Sequence, residues 1–561
     1  MIRIRRFRIK HSKINRDSER TVSEETFLPD NKSQIGKEEP DSLPPIDSSV
    51  TNPEWRELHL SGSLIKNLRI LKAIFLNCSD VVFHEFTFPQ NEGTRLAVVY
   101  VDGMTDSTKL GEQVICPLNG LALDEDIKSK IPDEKTLEYI KNSVLCTGEI
   151  AEINTIEIIV NMILSGETAI LLDGADKALF TDIRGYPKRN IEESNIDRLI
   201  RGPRESFIED LRTNTSLLRR KIKNPALKIE MLKIGRVTNT DVAVVYVEGI
   251  TNPKIVAEVK RRIGRIDIDG ILEGGYIEEL IEDNPLSPFC TINHSDRVDK
   301  IAALLLEGRA AIIVDGTPFV MTAPALFIES IHNPEDYYQR FFFSSMVRIL
   351  RTFTFFISIS ASSLFLSLLT YHPELLQTSL LLSIAAQREA VPFPSFIEIF
   401  IMEVVFEILR EAGLRMPMPL GQAVSIVGSI VLGDAAVRAG LVTPATVIVV
   451  ATAAIASFTY CYPGSIAIRP IRFGLLILSG FIGLPGLIFG MLLILIHMAN
   501  LRSFGIPFLY PIAPLSLDEL KDTFIRAPWW SMDKRPHLLT RNLFRQAPGQ
   551  QPQPPQGATG G

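Results

Sequence analysis

Residues 352–370, TFTFFISISASSLFLSLLT, carry no charge over 19 positions. As a helix rising about 1.5 Å per residue, such a run reaches across a hydrocarbon core roughly 30 Å thick. Two further runs, LVTPATVIVVATAAIASFTYC (441–461) and FGLLILSGFIGLPGLIFGMLLILIHMA (473–499), meet the same test, the second with a kink expected at Pro485. Residues 1 to about 340 are mixed and charged, whereas 343–500 are dominated by Leu, Ile, Val, Ala, Phe and Gly. Three membrane spans are therefore expected. Residues 421–440 are expected to supply a fourth, with Asp434 and Arg438 in its last turns, and 375–386 is short enough to be re-entrant.

The segment 395–413 interrupts this apolar pattern with Glu398, Glu403, Glu407 and Glu411, the last three on one face at i, i+4 spacing. Two readings fit: an amphipathic helix lying at the bilayer surface, or a helix lining a wet pathway. Gly421, Ser425, Ser429 and Gly433 form a small-residue face, and Gly486 and Gly490 form a second pair; both suit close helix approach and oligomerisation. In a ring of copies, Glu403, Glu407 and Asp434, with Ser425 and Ser429, are candidates for an ion pathway, because acidic rings favour cations. The competing reading is that the glycines only pack helices and the acids stay at the interface. Arg340, Arg348 and Arg351 before the first span and Arg502, Lys521, Arg526, Lys534 and Arg535 after the last place both flanks in the cytoplasm, which requires an even number of crossings. Arg469 and Arg472 conflict with that count unless the Pro463 and Pro470 stretch folds back or the two arginines pair internally.

The front half is organised by an internal repeat. AVVYVDGMTD (97–106), Cys146-Thr147 and GETAILLDGADKALF (166–180) recur as AVVYVEGITN (243–252), Cys290-Thr291 and GRAAIIVDGTPFV (308–320). Each copy reads as a buried strand ending at an acid-Gly turn, a helix, and a hairpin with Asp-Gly at its tip. Asp102, Asp173, Glu248 and Asp315 could belong to metal or acid/base chemistry, but acid-Gly between β-branched runs is the ordinary residue pair of a tight turn. With no P-loop, GxSxG, HExxH or dinucleotide fingerprint, no catalytic residue, cofactor or metal is expected. Five cysteines form no CxxC pair and no zinc spacing, and a net charge of -6 gives no reason to expect nucleic acid as a partner.

Between the copies lies RGPRESFIEDLRTNTSLLRRKIK (201–223), whose Phe207, Leu211, Leu218 and Ile222 form a helical stripe to be buried. Its bland reading is a helical connector. Arg201, Arg204, Arg212, Arg219 and Arg220 could instead contact an acidic partner or the anionic lipid of the cytoplasmic leaflet. The expected fold is thus an α/β soluble region of two tandem related lobes followed by an all-α multi-pass membrane domain. Its boundaries are a flexible basic and polar tail (1–55), lobe 1 (56–185), the connector (186–230), lobe 2 (231–340), the transmembrane domain (341–515), a cytoplasmic C-terminal segment (516–545) and a disordered tail (546–561). Trp529 and Trp530 read as interfacial anchors or as contacts to a neighbouring lobe.

The 201–223 segment, the block from REAVPFPSFIEIFIMEVVFEILREAG (388–413) through residue 458, and ANLRSFGIPFLYPIAPL (499–515) together resemble the A-subunit family of spore germinant receptors, the GerA and SpoVAF type, over about residues 60–540. That resemblance implies a multi-pass subunit of the inner spore membrane with a large cytoplasmic N-terminal region. It also implies partners, a B-type transporter-like subunit and a C-type lipoprotein, the former the expected holder of the nutrient. The complex would sense amino acids, sugars or nucleosides and start germination with release of monovalent cations and calcium dipicolinate. The same family includes members that amplify the response without a nutrient of their own, so receptor and amplifier both remain open, as does a non-conducting scaffold.

Overall fold

The computed structural model describes residues 54–87, 95–121, 137–146, 150–185, 199–415, 433–460 and 464–552. The tail at 1–53, the end of the tail from 553, and Gly421, Ser425 and Ser429 lie outside the described residues.

Two five-stranded antiparallel sheets form the front half. The first holds β1 (Val81–Thr87), β2 (Arg95–Val101), β3 (Ile150–Ile153), β4 (Thr168–Leu172) and β5 (Ala178–Thr181) in the order β1-β2-β4-β5-β3. The second holds β6 (Leu227–Ile234), β7 (Thr240–Val247), β8 (Asn293–Ser295), β9 (Ala310–Val314) and β10 (Val320–Ala323) in the order β6-β7-β9-β10-β8. Register is kept with order: Val98 pairs Ile170, and its repeat equivalent Val244 pairs Ile312. The AVVYV runs are β2 and β7, central strands whose Ala-Val-Val core is fully buried, as near-continuous β-branched sequence requires of a strand covered on both faces. β1 and β6, the edge strands before them, carry alternating polar residues, and the sequence pattern did not isolate them.

Helices cover both faces. In lobe 1 these include α1 (Leu64–Ile74) and α2 (Ile156–Ile163); in lobe 2, α3 (Leu211–Lys221), α4 (Pro253–Ile263), α5 (Gly274–Ile281) and α6 (Val298–Leu306). Leu211 and Leu218 of α3 and Val298 and Ile301 of α6 pack on Val245 and Ile313, while Ile255, Val259 and Ile277 of α4 and α5 pack on Val242 and Ile312 from the opposite side. The described part of the segment expected to connect the lobes, from residue 199 on, therefore packs as part of lobe 2. It stands where α1 stands in lobe 1, with the same local bonding. Asn67 Oδ1 accepts from Ser61 N and Asn214 Oδ1 from Ile208 N, at 2.9 Å in both. Asp173 Oδ1 accepts the Leu64 N–H at 2.8 Å, and Asp315 Oδ1 the Leu211 N–H at 3.1 Å. These hairpin acids thus satisfy an orphan N–H at a helix start. Gly174 and Gly316 beside them adopt φ +86° and +89°, which the turn demands.

The second half is helical: α7 (Phe341–Thr370), α8 (Thr378–Arg388), α9 (Ser395–Arg415), α10 (Pro444–Ser457), α11 (Ser465–Ile482) and α12 (Leu484–Asn500). By length and composition α7 and α11 can each cross a membrane, and α10 and α12 are shorter apolar helices. The run 473–499, expected as one kinked span, is instead a hairpin of α11 and α12, turned at Gly483 with φ +71°. Pro485 then falls in the first turn of α12, where its missing N–H costs nothing, rather than within a span. Core packing runs without a break from lobe 2 into this half: Phe327 meets Phe355 of α7 and Phe508, with ring centroids at 5.6 and 6.2 Å.

Candidate functional site

α9 turns its acids inward. Glu398 is buried against the start of α10, where Oε1 accepts from Thr443 N at 2.6 Å and Thr443 Oγ1 at 2.7 Å. A carboxylate suits the positive end of a helix dipole. One turn and a half later, Glu403 is 0% exposed; it accepts from Ser362 Oγ of α7 at 2.6 Å and faces Arg472 Nη2 of α11 at 3.0 Å. Arg472, 1% exposed, also donates to Glu407 at 2.8 Å. Glu407 has two further cationic neighbours, Arg410 at 3.3 Å and Arg469 at 3.9 Å. Arg410 is held in turn by Ser457 Oγ of α10 at 2.5 Å and by the rings of Phe406 and Phe458.

Two carboxylates and the guanidiniums of Arg410 and Arg472 thus join α7, α9, α10 and α11 in one largely buried cluster, with the partly exposed Arg469 at its edge. An interfacial helix would leave these acids wet; here Glu398 and Glu403 are sealed inside. Each charge in such a setting needs a partner, because desolvation costs several kcal/mol per ion. Of the two arginines at odds with the expected crossings, Arg472 is paired internally and Arg469 stays partly exposed. Around the cluster, Ser363 Oγ, Ser479 Oγ and Arg472 Nε and Nη1 are buried without a hydrogen-bond partner among the described residues. The serines of α7 were missed from sequence. Ser358, Ser362, Ser363 and Ser367, all buried, recur at i, i+4 and i, i+5 along an apolar helix, and that stripe was the available signal.

Other candidates lie elsewhere. Asp434 is 56% exposed on its side chain, pairs with Arg438 at 2.8 Å, and does not join Glu403 and Glu407. Gly486 and Gly490 pack within the chain: a Cβ on the first would sit 2.6 Å from Leu478 O and on the second 2.5 Å from Leu475 Cδ2, so both close the α11–α12 hairpin. Among the described residues, a Cβ on Gly433 would have Val447 Cγ1 nearby, at 3.6 Å. Of the basic residues, Arg219 is 0% exposed and grips Asp80 of lobe 1 bidentately, Nε to Oδ2 at 2.9 Å and Nη2 to Oδ1 at 2.8 Å, while Nη1 donates to Leu227 O at 2.9 Å. Arg212 pairs with Asp102 at 2.7 Å and Arg220 with Glu205 at 3.5 Å; Arg201 and Arg204 are exposed. Arg219 and Arg212 thus join the two lobes. Trp529 donates to Tyr337 O, just before α7, at 3.3 Å, and Trp530 stacks edge-on against Phe341 at the start of α7.

Where lobe 2 meets α11, a cleft of about 460 Å³ is lined by Glu278, Glu279, Glu282, Cys290, Arg469 and Pro470 among others. Burial, reinforced by Glu282 and Glu273, pushes the Glu278 carboxyl up to about 7. Burial pushes the Cys290 thiol up to about 12. Among the described residues no group of three or more His, Cys, Asp or Glu is placed to hold a metal ion.

Residues 69–538 match the family described as Bacillus/Clostridium GerA spore germination protein. Spore germination protein KA of Bacillus subtilis (strain 168) is 44% identical over 501 residues, covering 89% of this chain and 91% of that protein. The uncharacterized membrane protein YfkQ of the same organism is 41% identical over 483 residues, 86% of this chain and 92% of its own. A crystal structure of the N-terminal domain of the A subunit of the Bacillus megaterium spore germinant receptor GerK3 is 35% identical, covers 48% of this chain and 98% of that one, and has a TM-score of 0.39. By its match over most of its length, the chain belongs to the GerA spore germination protein family.

Proposed function

We propose that this chain is a membrane subunit of a nutrient receptor that triggers spore germination, with its two lobes in the cytoplasm and its helical half gating a cation pathway in the inner spore membrane. It works with a B-type transporter-like subunit and a C-type lipoprotein, as an oligomer in membrane lipid. Kinship with spore germination protein KA and with a protein named as a membrane protein supports the setting. The observation that carries the gating role is the buried cluster of Glu403, Glu407, Arg410 and Arg472, which ties α9 to α11 by charge and to α7 and α10 through the hydroxyls of Ser362 and Ser457. In this reading the cluster holds the pathway shut; separating α9 from α11 exposes the carboxylates, which then attract cations.

A second reading is favoured by the same pairing. Glu403 and Glu407 already have cations of this chain beside them, so a non-conducting scaffold or amplifier subunit accounts equally for the geometry. Flux from vesicles holding the assembled complex separates the two. Gating predicts that Glu403→Gln with Glu407→Gln changes ion flux or its selectivity; unchanged flux, selectivity and germination would leave the scaffold. Function itself is tested by dipicolinate release from spores lacking the chain. Loss of the response to one nutrient with a normal response to exogenous calcium dipicolinate marks a receptor subunit, and slowing to every nutrient marks an amplifier. A normal response throughout means either a redundant paralogue or that the germination role is wrong.

A further inference from the structure

The repeat is broken at one place, and something else fills it. In lobe 1 the chain leaving β5 runs straight on beside the turn after β2: Asp106 N donates to Ile183 O at 3.0 Å, Gly185 N donates to Met104 O at 3.1 Å, and Thr105 bridges Arg184. In lobe 2 the equivalent residues after β10 leave for the helical half, where Ala325 N donates to Ser503 Oγ at 3.0 Å and Phe327 N to Phe508 O at 2.9 Å. Their seat is taken by residues from more than 200 positions later. Asn252 N donates to Leu539 O at 3.1 Å, Arg541 N donates to Ile250 O at 2.8 Å, and Thr251 bridges Thr540. Every bond of lobe 1 is reproduced by a different part of the chain. Gly166 and Gly308, equivalent glycines, both lie under this seat: a Cβ on Gly308 would come 2.7 Å from Leu539 O and 2.5 Å from Thr540 Cγ2.

Leu539, 0% exposed, plugs the seat. Arg545 adds an ion pair to Glu307 at 2.8 Å, and Arg535 Nε donates to Leu306 O at 2.9 Å. Burial raises the Glu307 carboxyl, but Arg309 and Arg545 overcome it and hold the group down at about 2. Further back in the same segment Asp522 accepts from Tyr337 Oη at 2.7 Å and from Arg348 of α7 at 2.9 Å. The chain after α12 is thus fastened both to the start of α7 and to lobe 2.

We infer that residues 533–545 are a latch: they complete lobe 2 in the resting state and leave their seat when the helical half moves. In lobe 1 the seat is filled by contiguous chain and stays closed. In lobe 2 it is filled by a segment that follows every long apolar helix and is joined to α12 through residues 501–532, which themselves bond Ala325, Phe327 and Arg348, so a movement of the helical half reaches the latch through that stretch. The release step rests on the germination reading above; the seating does not.

Seating is tested on the full chain in detergent by amide exchange. Leu539→Asp should speed exchange at 250–252 and 307–309 at least tenfold while 104–106 in lobe 1 is unchanged, which also reports that the protein is folded. Arg541→Pro, on an exposed residue, removes the N–H that the Ile250 carbonyl accepts and should act the same way at Asn252, whose own N–H is held by Leu539 O. Unaltered exchange at 250–252 in both variants overturns the latch. Release is tested with Thr251→Cys plus Thr540→Cys in spores. With the disulfide verified, nutrient-triggered dipicolinate release should fall at least tenfold and return on reduction; an undiminished response of the cross-linked form overturns release. Failure of the germination reading would show separately, as a normal response in spores lacking the chain, with the exchange results intact.

Discussion

Replacing Arg472 by Met isolates the energetics of the buried cluster. The substitution keeps most of the side-chain volume but removes the guanidinium that lies 3.0 Å from Glu403 and 2.8 Å from Glu407. Glu407 keeps Arg410 at 3.3 Å. Among the described residues Glu403 then keeps the Ser362 hydroxyl, at 2.6 Å, and stays fully buried. Breaking a buried pair by removing one partner costs about 3–5 kcal/mol, because the other charge is left uncompensated. For a cooperative unit of about 150–250 residues, 1 kcal/mol moves the melting point by about 2–4 °C, so the helical half should melt roughly 6–20 °C lower. Adding Glu403→Gln removes the stranded charge and should recover at least half of the loss.

The assay is thermal unfolding of wild type, both single variants and the double variant in one detergent, read as a double-mutant cycle. Interaction energies of contacting residues run to about 3 kcal/mol, well outside the few tenths expected of independent sites. A single Arg472→Met variant melting within 2 °C of wild type would show that water already screens the cluster; a double variant no better than that single one would show that Glu403 is not the stranded group. Either result refutes the reasoning, and with it the claim that charge pairing holds α9 to α11.

Arg219→Met should destabilise the sheet-bearing half by about 3–5 kcal/mol, since Asp80 is left buried, whereas Arg212→Ala, at the exposed pair with Asp102, should cost less than about 1 kcal/mol; chemical unfolding compares them. Gly486→Ala should destabilise by about 1–3 kcal/mol despite alanine's better helix propensity, because its Cβ meets the Leu478 carbonyl, while Gly433→Ala should be neutral or stabilising; melting of the two variants decides it. Glu278 titrates near 7 in the folded chain against an ordinary 4.5, so the folded state holds a proton that the unfolded state has lost. Its contribution is full below pH 4.5 and falls away as pH rises to 7, so Glu278→Gln should raise stability at pH 8 by up to about 3 kcal/mol and change little at pH 4. A pH-independent difference between the two proteins would remove burial as the cause.

What could be read from the chain depended on how far each signal reached. The duplication was legible because β2 and β7 are buried on both faces, and a strand so placed must be β-branched throughout; AVVYV repeated at matching distances from Asp-Gly could hardly be anything else. Residues 201–223 were legible as an amphipathic helix but not as part of lobe 2, because their counterpart at 54–75 shares the fold and the Asn-centred loop bonds without sharing the sequence. The hairpin at Gly483 was hidden by hydropathy, which sums α11 and α12 into one apolar run and cannot register a left-handed residue in its middle. The arginine partners of Glu403 and Glu407 were invisible for a different reason. Arg472 lies 65 positions beyond Glu407, and nothing in a single sequence tells a snorkelling arginine from one turned inward. The same limit of reach conceals the C-terminal segment on lobe 2. Its seat can be recognised only by superposing the lobes and asking what replaces residues 183–185, and the answer lies at 539–541, beyond the whole helical half. A duplicated fold that surrenders one of its own elements to a distant segment exchanges local closure for coupling: lobe 2 cannot be complete unless the far end of the helices is in place.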